Sequence, residues 1–382
     1  MSAGTVAGVT GGWSLRRVLP RAEPWCVPDF RRVLQLSLAA MWLFDGVLQL
    51  QPFMFTPAFG SQMIAPFAHG NPAGVADAIT WCAQQIARNS TLAGVGFAGI
   101  QMVIAVGIAW RPTVKAALAI SVVWSLGVWW IGEGMGNLFR GTASPVTGAP
   151  GAVLIYALLA VLLWPPRGAP ASAGDLDAAS RTDGAFVAAR PVGATPARII
   201  WVVLWVGLGC LSLAPANRAP RALQSMISAM AVGEPRWLAS LDHSVARLLG
   251  DSGLAVSIAL AVLFVLIGVA VFARAGVVRA ALVVAGGVAV VIWVVGEGFG
   301  GVFSGTATDP NSGPLLVLLA AAYWPVRAAS AVLRDGTGAV TRAGVTRAGV
   351  TRAGVARAGV TRAGVTRAGV TRAGVTRAGG QA

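Results

Sequence analysis

Charged residues are scarce in this chain. They make up 11% of its 382 residues, while 56% are hydrophobic. A soluble globular domain carries about 25% charged residues, so this composition excludes an ordinary soluble fold. Cysteine and histidine are also rare, with three and two residues. Cys26, Cys82 and Cys210 form no Cys-x-x-Cys pair, which argues against a disulfide framework and a zinc site.

Common catalytic motifs are missing as well. The chain has no Walker A loop, no dinucleotide-binding glycine fingerprint and no His-Glu-x-x-His sequence. His69 and His243 fall in predicted loops, so two histidines cannot hold a haem inside the bilayer. We therefore identify no metal site and no cofactor from the residues, and whether the chain is an enzyme stays open.

Long apolar runs are abundant instead, and the mean hydropathy is +0.71. Most of them approach the roughly 20 residues that cross a bilayer as a helix, and none shows the period-two alternation of a spanning strand. The sequence therefore predicts an all-α membrane protein with about eight transmembrane helices. The eight runs cover residues 33–50, 92–110, 114–132, 150–164, 199–214, 254–273, 277–296 and 314–326.

One stretch of the sequence occurs twice. Residues 129–143 read WWIGEGMGNLFRGTA, and 164 positions later residues 293–307 read WVVGEGFGGVFSGTA, with nine of fifteen positions identical. Upstream, the match continues with a single slip in register and pairs Trp42 with Trp205. A repeat this long indicates a duplicated module rather than a solenoid unit of about 20–50 residues. Four predicted helices per copy give both copies one orientation, so we predict two parallel four-helix repeats.

Basic residues are distributed unevenly between the predicted loops. With the N-terminus in the cytoplasm, 23 Lys and Arg residues fall on the cytoplasmic side and six on the other. Cytoplasmic loops carry such an excess, so we predict a plasma (inner) membrane protein with both termini in the cytoplasm. One lysine against 28 arginines, with abundant alanine, valine and glycine, is typical of a GC-rich bacterial genome.

Five segments follow from these patterns. The linker and the tail are predicted to lack fixed structure, because their sequences bury too little apolar area to order themselves. The segments are a basic cytoplasmic arm (1–32), a first four-helix membrane repeat (33–165), a cytoplasmic linker (166–198), a second four-helix membrane repeat (199–326) and a disordered arginine-rich tail (327–382).

The tail repeats the sequence Val-Thr-Arg-Ala-Gly from residue 339 onward. Its arginines favour anionic lipid on the cytoplasmic leaflet, at about 1 kcal/mol per residue close to the surface. Nucleic acid is electrostatically suitable too, but we do not expect it as the partner. The competing interpretation is an expanded coding repeat with no specific partner.

Each long outer loop carries a helical stripe of apolar residues. The stripes predict an amphipathic helix on the outer face of each repeat, which either covers the ends of the spans or acts as a lid. They consist of Val75, Ile79, Cys82 and Ile86 in the first copy and Leu238, Leu241, Val245 and Leu248 in the second.

Three acidic residues fall in or at the ends of predicted spans. Asp45 lies within the first span, and Glu133 and Glu297 lie at the outer ends of the third and seventh. A charge in hydrocarbon costs about 2.5–3.5 kcal/mol even on insertion scales, so such acids are candidate functional residues. The first copy adds Asn137 and Arg140 where the second has Gly301 and Ser304. We therefore expect an ion, proton or ligand site there, with a structural Asp45–Arg140 pair as the alternative.

Glycines alternate with each glutamate. Because glycine permits left-handed backbone and close approach, the pattern favours a helix that ends or unwinds at the motif beside a protein-lined cavity. The alternative is a C-terminal glycine cap with a glutamate that reaches the membrane surface. A glutamate at a helix C-terminus also opposes the macrodipole, so a cation, a bound proton or a hydrogen-bond donor has to offset it. The glycines are Gly132, Gly134 and Gly136, and Gly296, Gly298 and Gly300.

The sequence Arg32-x3-Leu36-x5-Trp42-x3-Gly46-Val47-Leu48, followed by Pro52, resembles the first span of DoxX-like membrane proteins. The unit of that family is a four-helix bundle. Some members are subunits of a thiosulfate:quinone oxidoreductase, and others join membrane complexes linked to oxidative stress. The resemblance thus implies a subunit of a membrane complex, with quinone as the cofactor that the family suggests. It carries over no catalytic residue, and the duplication and the glutamate motif depart from the family pattern.

Three functions are consistent with the sequence. The first is a DoxX-like, redox-associated subunit of a membrane complex. The second is a transporter or channel for a small solute or cation that uses the outer glutamates. The third is a membrane anchor that recruits a partner through its basic tail. The residues do not identify a substrate.

Overall fold

The computed structural model describes residues 27–165 and 186–325, here called the first and second halves. These residues are helical and contain no β-strand, which confirms the predicted all-α class. The α-helices of the first half are α1 (Val27–Leu48), α2 (Ala73–Arg88), α3 (Ser90–Ala109), α4 (Val114–Ile131) and α5 (Ala152–Leu162). Those of the second half are α6 (Ala189–Val192), α7 (Ala194–Ser212), α8 (Pro215–Arg218), α9 (Ala222–Met230), α10 (Arg236–Leu249), α11 (Gly253–Val269), α12 (Ala275–Val291) and α13 (Ser312–Ala322).

Short helical turns connect these elements. The 3-10 turns are Pro52–Phe55, Ala65–Ala68, Arg111–Thr113, Gly134–Asn137, Pro145–Thr147, Ala270–Phe272 and Gly298–Gly301, and the π-helical turns are Phe59–Ile64 and Ile292–Gly296.

Within residues 27–165 and 186–325, five helices are long and apolar enough to cross a membrane, by length and composition: Ser90–Ala109, Arg111–Ile131, Ala194–Ser212, Gly253–Phe272 and Ala275–Gly296. Helix α1 has 22 residues but carries four charged ones. Helices α5 and α13 have 11 residues each, or about 16 Å at 1.5 Å per residue, which is half of a bilayer core. The structure thus gives five spanning candidates rather than the eight predicted.

The long helices present apolar residues outward and small or polar residues inward. On α3, Val103 and Val106 are 64% and 63% exposed, whereas Gly94, Ala98 and Gln101 are buried. A soluble helix buries its large apolar residues and exposes polar ones, so this pattern is reversed. It is compatible with a membrane protein whose valines face lipid and whose glycines allow helices to approach closely.

Matching pairs of helices pack together in the two halves. Helix α1 packs on α3 and α4 on α5, while α7 packs on α11 and α12 on α13. Tryptophans fill both interiors: Trp42 lies 4.3 Å from Tyr156 between ring centroids, and Trp205 lies 5.6 Å from Phe264. Helices α5 and α13 also contact each other, so the halves share one hydrophobic core.

Two arginines at the start of α1 bind the carbonyl ends of other helices. The Arg31 guanidinium donates to the carbonyl oxygens of Trp164 and Val187, and Arg32 donates to that of Ile108 at 2.9 Å. The last carbonyls of a helix lack intrahelical partners, and cations there also complement the macrodipole. Arg32 therefore caps the C-terminal end of α3, and Arg31 caps that of α5 through Trp164.

The predicted boundaries shift at two places. Helix α1 begins at Val27, inside the predicted basic arm, and α7 begins at Ala194, inside the predicted linker. Phe186, Val187 and Ala188 are buried, and the Ala188 amide donates to the carbonyl of Ala322 at 3.0 Å. This end of the linker is therefore ordered, because its apolar residues complete the core. The remainder of the arm and linker, and the tail from residue 326, lie outside the described residues.

The outer helices form as predicted, but the second buries a different face. In α2, Ile79 is fully buried, as the stripe requires. In α10, the buried residues are Leu238, Asp242 and Ala246, whereas Leu248 is 85% exposed. The predicted stripe on α10 is therefore wrong for Leu241 and Leu248, which are exposed. The buried face of the helix instead includes the acidic residue Asp242.

Candidate functional site

The two glutamate motifs end their helices with the same rare backbone. Residues 134–137 all have positive φ, between 54° and 63°, and residues 298–301 have φ between 51° and 73°. Left-handed geometry costs about 1–2 kcal/mol for a residue with a side chain, such as Met135 or Phe299. A matching hydrogen bond accompanies each turn: Trp129 Nε1 donates to the Pro150 carbonyl, and Trp293 Nε1 to the Pro310 carbonyl, both at 2.7 Å.

The return loop passes so close to each turn that one glycine is obligatory. A Cβ atom on Gly136 would lie 2.1 Å from the Pro150 carbonyl oxygen, and one on Gly300 would lie 2.4 Å from the Pro310 carbonyl carbon. Neither distance is compatible with a side chain. The other motif glycines face different neighbours: Gly132 faces Val128, Gly134 faces Phe67, Gly296 faces Val146 and Gly298 faces Glu234.

Each glutamate binds the N-terminus of the next helix. Val153 N donates to Glu133 Oε1 at 3.3 Å at the start of α5. Gly313 N donates to Glu297 Oε2 at 3.1 Å at the start of α13, and the Ser312 hydroxyl donates to Glu297 Oε1. The first amides of a helix need acceptors and carry partial positive charge. These hydrogen bonds offset the repulsion between each carboxylate and the partial negative charge at the C-terminus of its own helix.

The two glutamates nevertheless differ in how well they are satisfied. Glu297 is 2% exposed and both of its oxygens accept hydrogen bonds. Glu133 Oε2 is shielded from solvent and has no hydrogen-bond partner among the described residues. Glu297 thus has the bonding of a structural cap, whereas Glu133 has one oxygen near the Ala152 amide without a hydrogen bond of normal geometry.

Glu133 lines a cavity of ≈ 260 Å³. The rest of the lining comes chiefly from the loop that follows the second motif, so residues from both halves meet there. Polar members of the lining are Glu133, Ser304, Thr306, Thr308, Asp309 and Asn311. Among the described residues, the one ion pair joins Arg221 to Asp251, so neither Glu133 nor Asp309 is paired with a basic side chain there.

Burial shifts the acids of this region towards protonation. It raises the pKa of Glu133 well above the usual range, and the nearby charge of Asp309 adds to this effect. Burial raises the pKa of Asp309 as well, although the Thr308 hydroxyl and the Asn311 amide stabilise its charged form. For Glu297, burial raises the pKa to about 7 against the opposing hydrogen bonds from Ser312 and Gly313. At neutral pH, Glu133 and Asp309 together favour a bound proton or cation.

The predicted polar neighbourhood of the first copy is only partly assembled. Asp45 is 1% exposed inside α1, and the Tyr156 hydroxyl of α5 faces it. Arg140 is exposed and donates to Asn137 Oδ1 at 3.0 Å. The alternative Asp45–Arg140 pair does not form, because Arg140 lies on the surface beside Gly70, away from the interior of the bundle.

Asp309 and Asn311 are the site residues that sequence reasoning missed. Their polar turn, Thr308-Asp309-Pro310-Asn311, is visible before the last apolar run. The Asp309 carboxylate accepts from the Asn311 amide at 2.8 Å, which holds the turn. Nothing in the spacing indicates that this turn reaches the glutamate of the other copy.

A second acidic pair lies under the outer helix of the second half. Asp242 of α10 is fully buried with both carboxylate oxygens unpartnered in the described chain, and it adjoins Glu234. Burial, together with the Asp242 carboxyl, raises the pKa of Glu234 to about 7. By the sequence register, the residue matching Asp242 is the buried Ile79. The position therefore accepts an apolar residue, and the acid is not required for packing.

A larger groove of ≈ 470 Å³ lies between α9 and α10, lined by residues that include His243 and Arg247. It lies on the surface and none of its lining atoms is a buried, unpartnered one, so we assign it no role. Across residues 27–165 and 186–325, no three His, Cys, Asp or Glu side chains come together in a way that would hold a metal ion. No family model, curated protein or solved structure matches this chain.

Proposed function

We propose that the chain is a multi-pass membrane protein made of two related four-helix units in parallel orientation. The recurrence of the Trp–Pro hydrogen bond, the left-handed turn and the glutamate contact in both halves supports this proposal. In this arrangement α1, α3, α4 and α5 form the first unit, and α7, α11, α12 and α13 form the second. Helices α5 and α13 complete their crossings together with the loops that precede them, because 11 residues are too short alone.

For orientation we propose that both termini lie in the cytoplasm and that the glutamate motifs face the opposite side of the plasma membrane. The excess of basic residues in the predicted cytoplasmic loops supports this orientation.

For function we propose that the cavity beside Glu133 binds a small cation in exchange for a proton, as part of a transporter or channel. The observation that carries this proposal is Glu133, which lines a polar cavity with Asp309 and has one carboxylate oxygen, Oε2, buried without a hydrogen bond of normal geometry in the described chain. Two nearby, half-buried carboxylates without a basic partner among the described residues favour a positive partner that offsets their mutual repulsion. A proton fills that role in one state and a cation in the other.

Proton release tests the exchange directly. Purified protein in weakly buffered detergent is mixed with sodium, potassium or methylammonium chloride, and the released protons are followed with a pH-sensitive dye. We expect about one proton per chain from the parent for at least one of these cations. Glu133→Gln should abolish the release, and Glu297→Gln, as the matched control, should retain it. No release with any of the three cations would rule out the exchange.

Liposome flux then separates binding from transport. Reconstituted parent protein should move the cation that releases the proton, and Glu133→Gln should not. If the parent releases protons but shows no flux, the pocket is a binding site in a protein that does not transport.

A DoxX-like subunit is the second proposal. Two of the residues that carry the resemblance are packing residues: Trp42 is buried and donates to Ser121 Oγ at 3.0 Å, and Gly46 lies against Met102 of α3. They support a similar bundle rather than shared chemistry. Quinone-dependent activity of the purified protein, or co-purification with a redox enzyme, would favour this role. The third proposal, an anchor acting through its tail, falls on residues outside the described ones.

A further inference from the structure

The interior of the first half contains a group of unsatisfied oxygen atoms. Their residues are at most 7% exposed, and within the described chain the atoms form no hydrogen bond of normal geometry, although the Tyr156 hydroxyl lies beside the Asp45 carboxyl. They come from α1 and the turn after it, and from α3, α4 and α5. The atoms are Asp45 Oδ1, Gln49 Oε1, Gln101 Oε1, Ser125 Oγ and Tyr156 Oη.

Packing contacts bring these residues to one level of the bundle. Trp42 donates to Ser121 Oγ at 3.0 Å and its ring lies 4.3 Å from that of Tyr156. Asp45 follows Trp42 by one helical turn, and Ser125 follows Ser121 by one turn. The Tyr156 hydroxyl faces the Asp45 carboxyl.

Helix α3 joins the same level through Gly46. Gly46, which follows Asp45, lies against Ala98 and Met102. Gln101 belongs to the same turn of α3 and is buried. Gln49 follows Asp45 by one turn and is also buried. The five residues therefore lie at the level of the α1 segment that begins at Asp45.

The second half shows that packing does not require four of these five polar groups; the fifth, Gln49, matches the buried Ser212. In the sequence register, Asp45 matches Leu208 and Gln101 matches Phe264, and both matching residues are buried. Ser125 corresponds to Ala289, and Tyr156, counted from the matching Trp–Pro bonds, corresponds to Leu316. Four apolar residues thus fill the equivalent space. Polar atoms in the interior of a helical membrane bundle are costly unless they bind something.

We propose that the oxygens around Asp45 bind a dehydrated monovalent cation of the size of sodium. Oxygen-only ligands suit a hard cation, and the absence of histidine and cysteine from the set disfavours zinc and other soft metals. The single carboxylate balances one positive charge, whereas a divalent ion would leave an uncompensated charge in a medium of low dielectric.

This site deepens the proposed function as a second cation position. Asp309 lines the outer cavity, and its charge acts on both Glu133 and Asp45, so the two sites are neighbours. A role of this site in transport rests on the proposed function, whereas cation binding at Asp45 does not. Binding at Asp45 is measured separately from proton exchange at Glu133.

The test is thermal unfolding of the full chain in detergent, with sodium chloride compared against potassium chloride and N-methylglucamine chloride at equal ionic strength. Sodium should raise the Tm of the parent by about 2–4 °C over N-methylglucamine, since a ligand that binds the folded state stabilises it. The double variant Asp45→Leu/Tyr156→Leu copies the residues of the second half. It should fold and lose the sodium-dependent shift.

Two further variants make the result decisive. Glu133→Gln should keep the sodium shift even though it loses proton exchange, which separates this site from the outer cavity. Asp45→Asn preserves the side-chain volume and should lose the shift if the double variant fails to fold. Equal Tm values of the parent in sodium and N-methylglucamine would overturn the proposal, as would a sodium shift that survives in the Asp45 variants. A sodium-independent parent that Asp45→Asn stabilises would instead show that Asp45 holds a proton.

Discussion

Glu133 and Asp309 line the same cavity although they belong to opposite halves of the chain. Glu133 follows α4 and Asp309 precedes α13, so each half contributes one carboxyl. The shared cavity distinguishes Glu133 from Glu297, because both oxygens of Glu297 accept hydrogen bonds at the start of α13. Two copies of one motif therefore divide into a structural cap and a candidate site, and the following predictions depend on this difference.

The first prediction concerns the stability of the two glutamate variants. Glu133→Gln removes a buried charge with one unpartnered oxygen, so it should leave Tm unchanged or raise it. Glu297→Gln places an amide NH2 group among donors that need an acceptor, and it should destabilise by about 1–3 kcal/mol. Both are measured by thermal unfolding in one detergent. A larger loss for Glu133→Gln than for Glu297→Gln would contradict the assignment.

The second prediction concerns pH. The pKa of Glu234 is raised from 4.5 to about 7 in the folded state, so the folded protein binds more protons than the unfolded one between these values. The contribution of Glu234 to stability should therefore be complete below about pH 4.5, be lost as pH rises to about 7, and stay absent above it. Glu297 has a pKa of about 7 and contributes with the same sign. A Tm series across this range checks the slope.

Asp242→Ile is the matched variant for this effect. It introduces the residue found at the equivalent buried position, Ile79, and removes the acid beside Glu234. We expect a higher Tm at pH 7 and a shallower fall between pH 4.5 and 7, with the Glu297 contribution remaining. An unchanged pH profile would show that the acidic pair does not control stability.

The third prediction compares two glycines near the first motif. Gly136→Ala should destabilise strongly, because its Cβ would lie 2.1 Å from the Pro150 carbonyl oxygen and its φ is 63°. Gly127 lies within α4, and a Cβ atom there would have open space within 4 Å, so Gly127→Ala should stabilise by about 0.5–1 kcal/mol. Expression level and Tm of the pair measure this contrast. Similar Tm values for both variants would mean that the return loop can move away.

The fourth prediction concerns orientation. With Cys26, Cys82 and Cys210 replaced, single cysteines at the exposed positions Gly141 and Gly305 should react with a membrane-impermeant thiol reagent in intact cells. A cysteine at Ala179 should react only after lysis, because the linker is predicted to be cytoplasmic. Labelling at Ala179 alone in intact cells would reverse the orientation.

The fifth prediction concerns the tail. Truncation after Asp335 removes the Val-Thr-Arg-Ala-Gly repeats and should leave Tm unchanged, because such a sequence cannot bury enough apolar area to stabilise the bundle. The matched measurement is binding to vesicles with and without anionic lipid, which should weaken on truncation. A large drop in Tm would show that the repeats pack against the helices.

The sequence by itself determined the class of the protein and where the unusual residues lie. Low charge and long apolar runs indicate membrane helices, because the bilayer acts on composition and length within each segment. The repeated Gly-Glu-Gly pattern predicts where α4 ends and where the π-helical turn after α12 ends, since glycine preference is a local property of the backbone. The asymmetry between Asp45 and its counterpart Leu208 is likewise visible by comparing the copies.

The tertiary structure decided which of these residues meet. Periodicity places a residue on a face of its own helix, but it does not specify which distant loop covers that face. The meeting of Glu133 with Asp309, the separation of Arg140 from Asp45, and the burial of Asp242 at the place of an isoleucine all depend on packing between segments far apart in the chain. Solvent exclusion and the number of hydrogen-bond partners follow from that packing, and they make Glu133 the candidate site and Glu297 the cap.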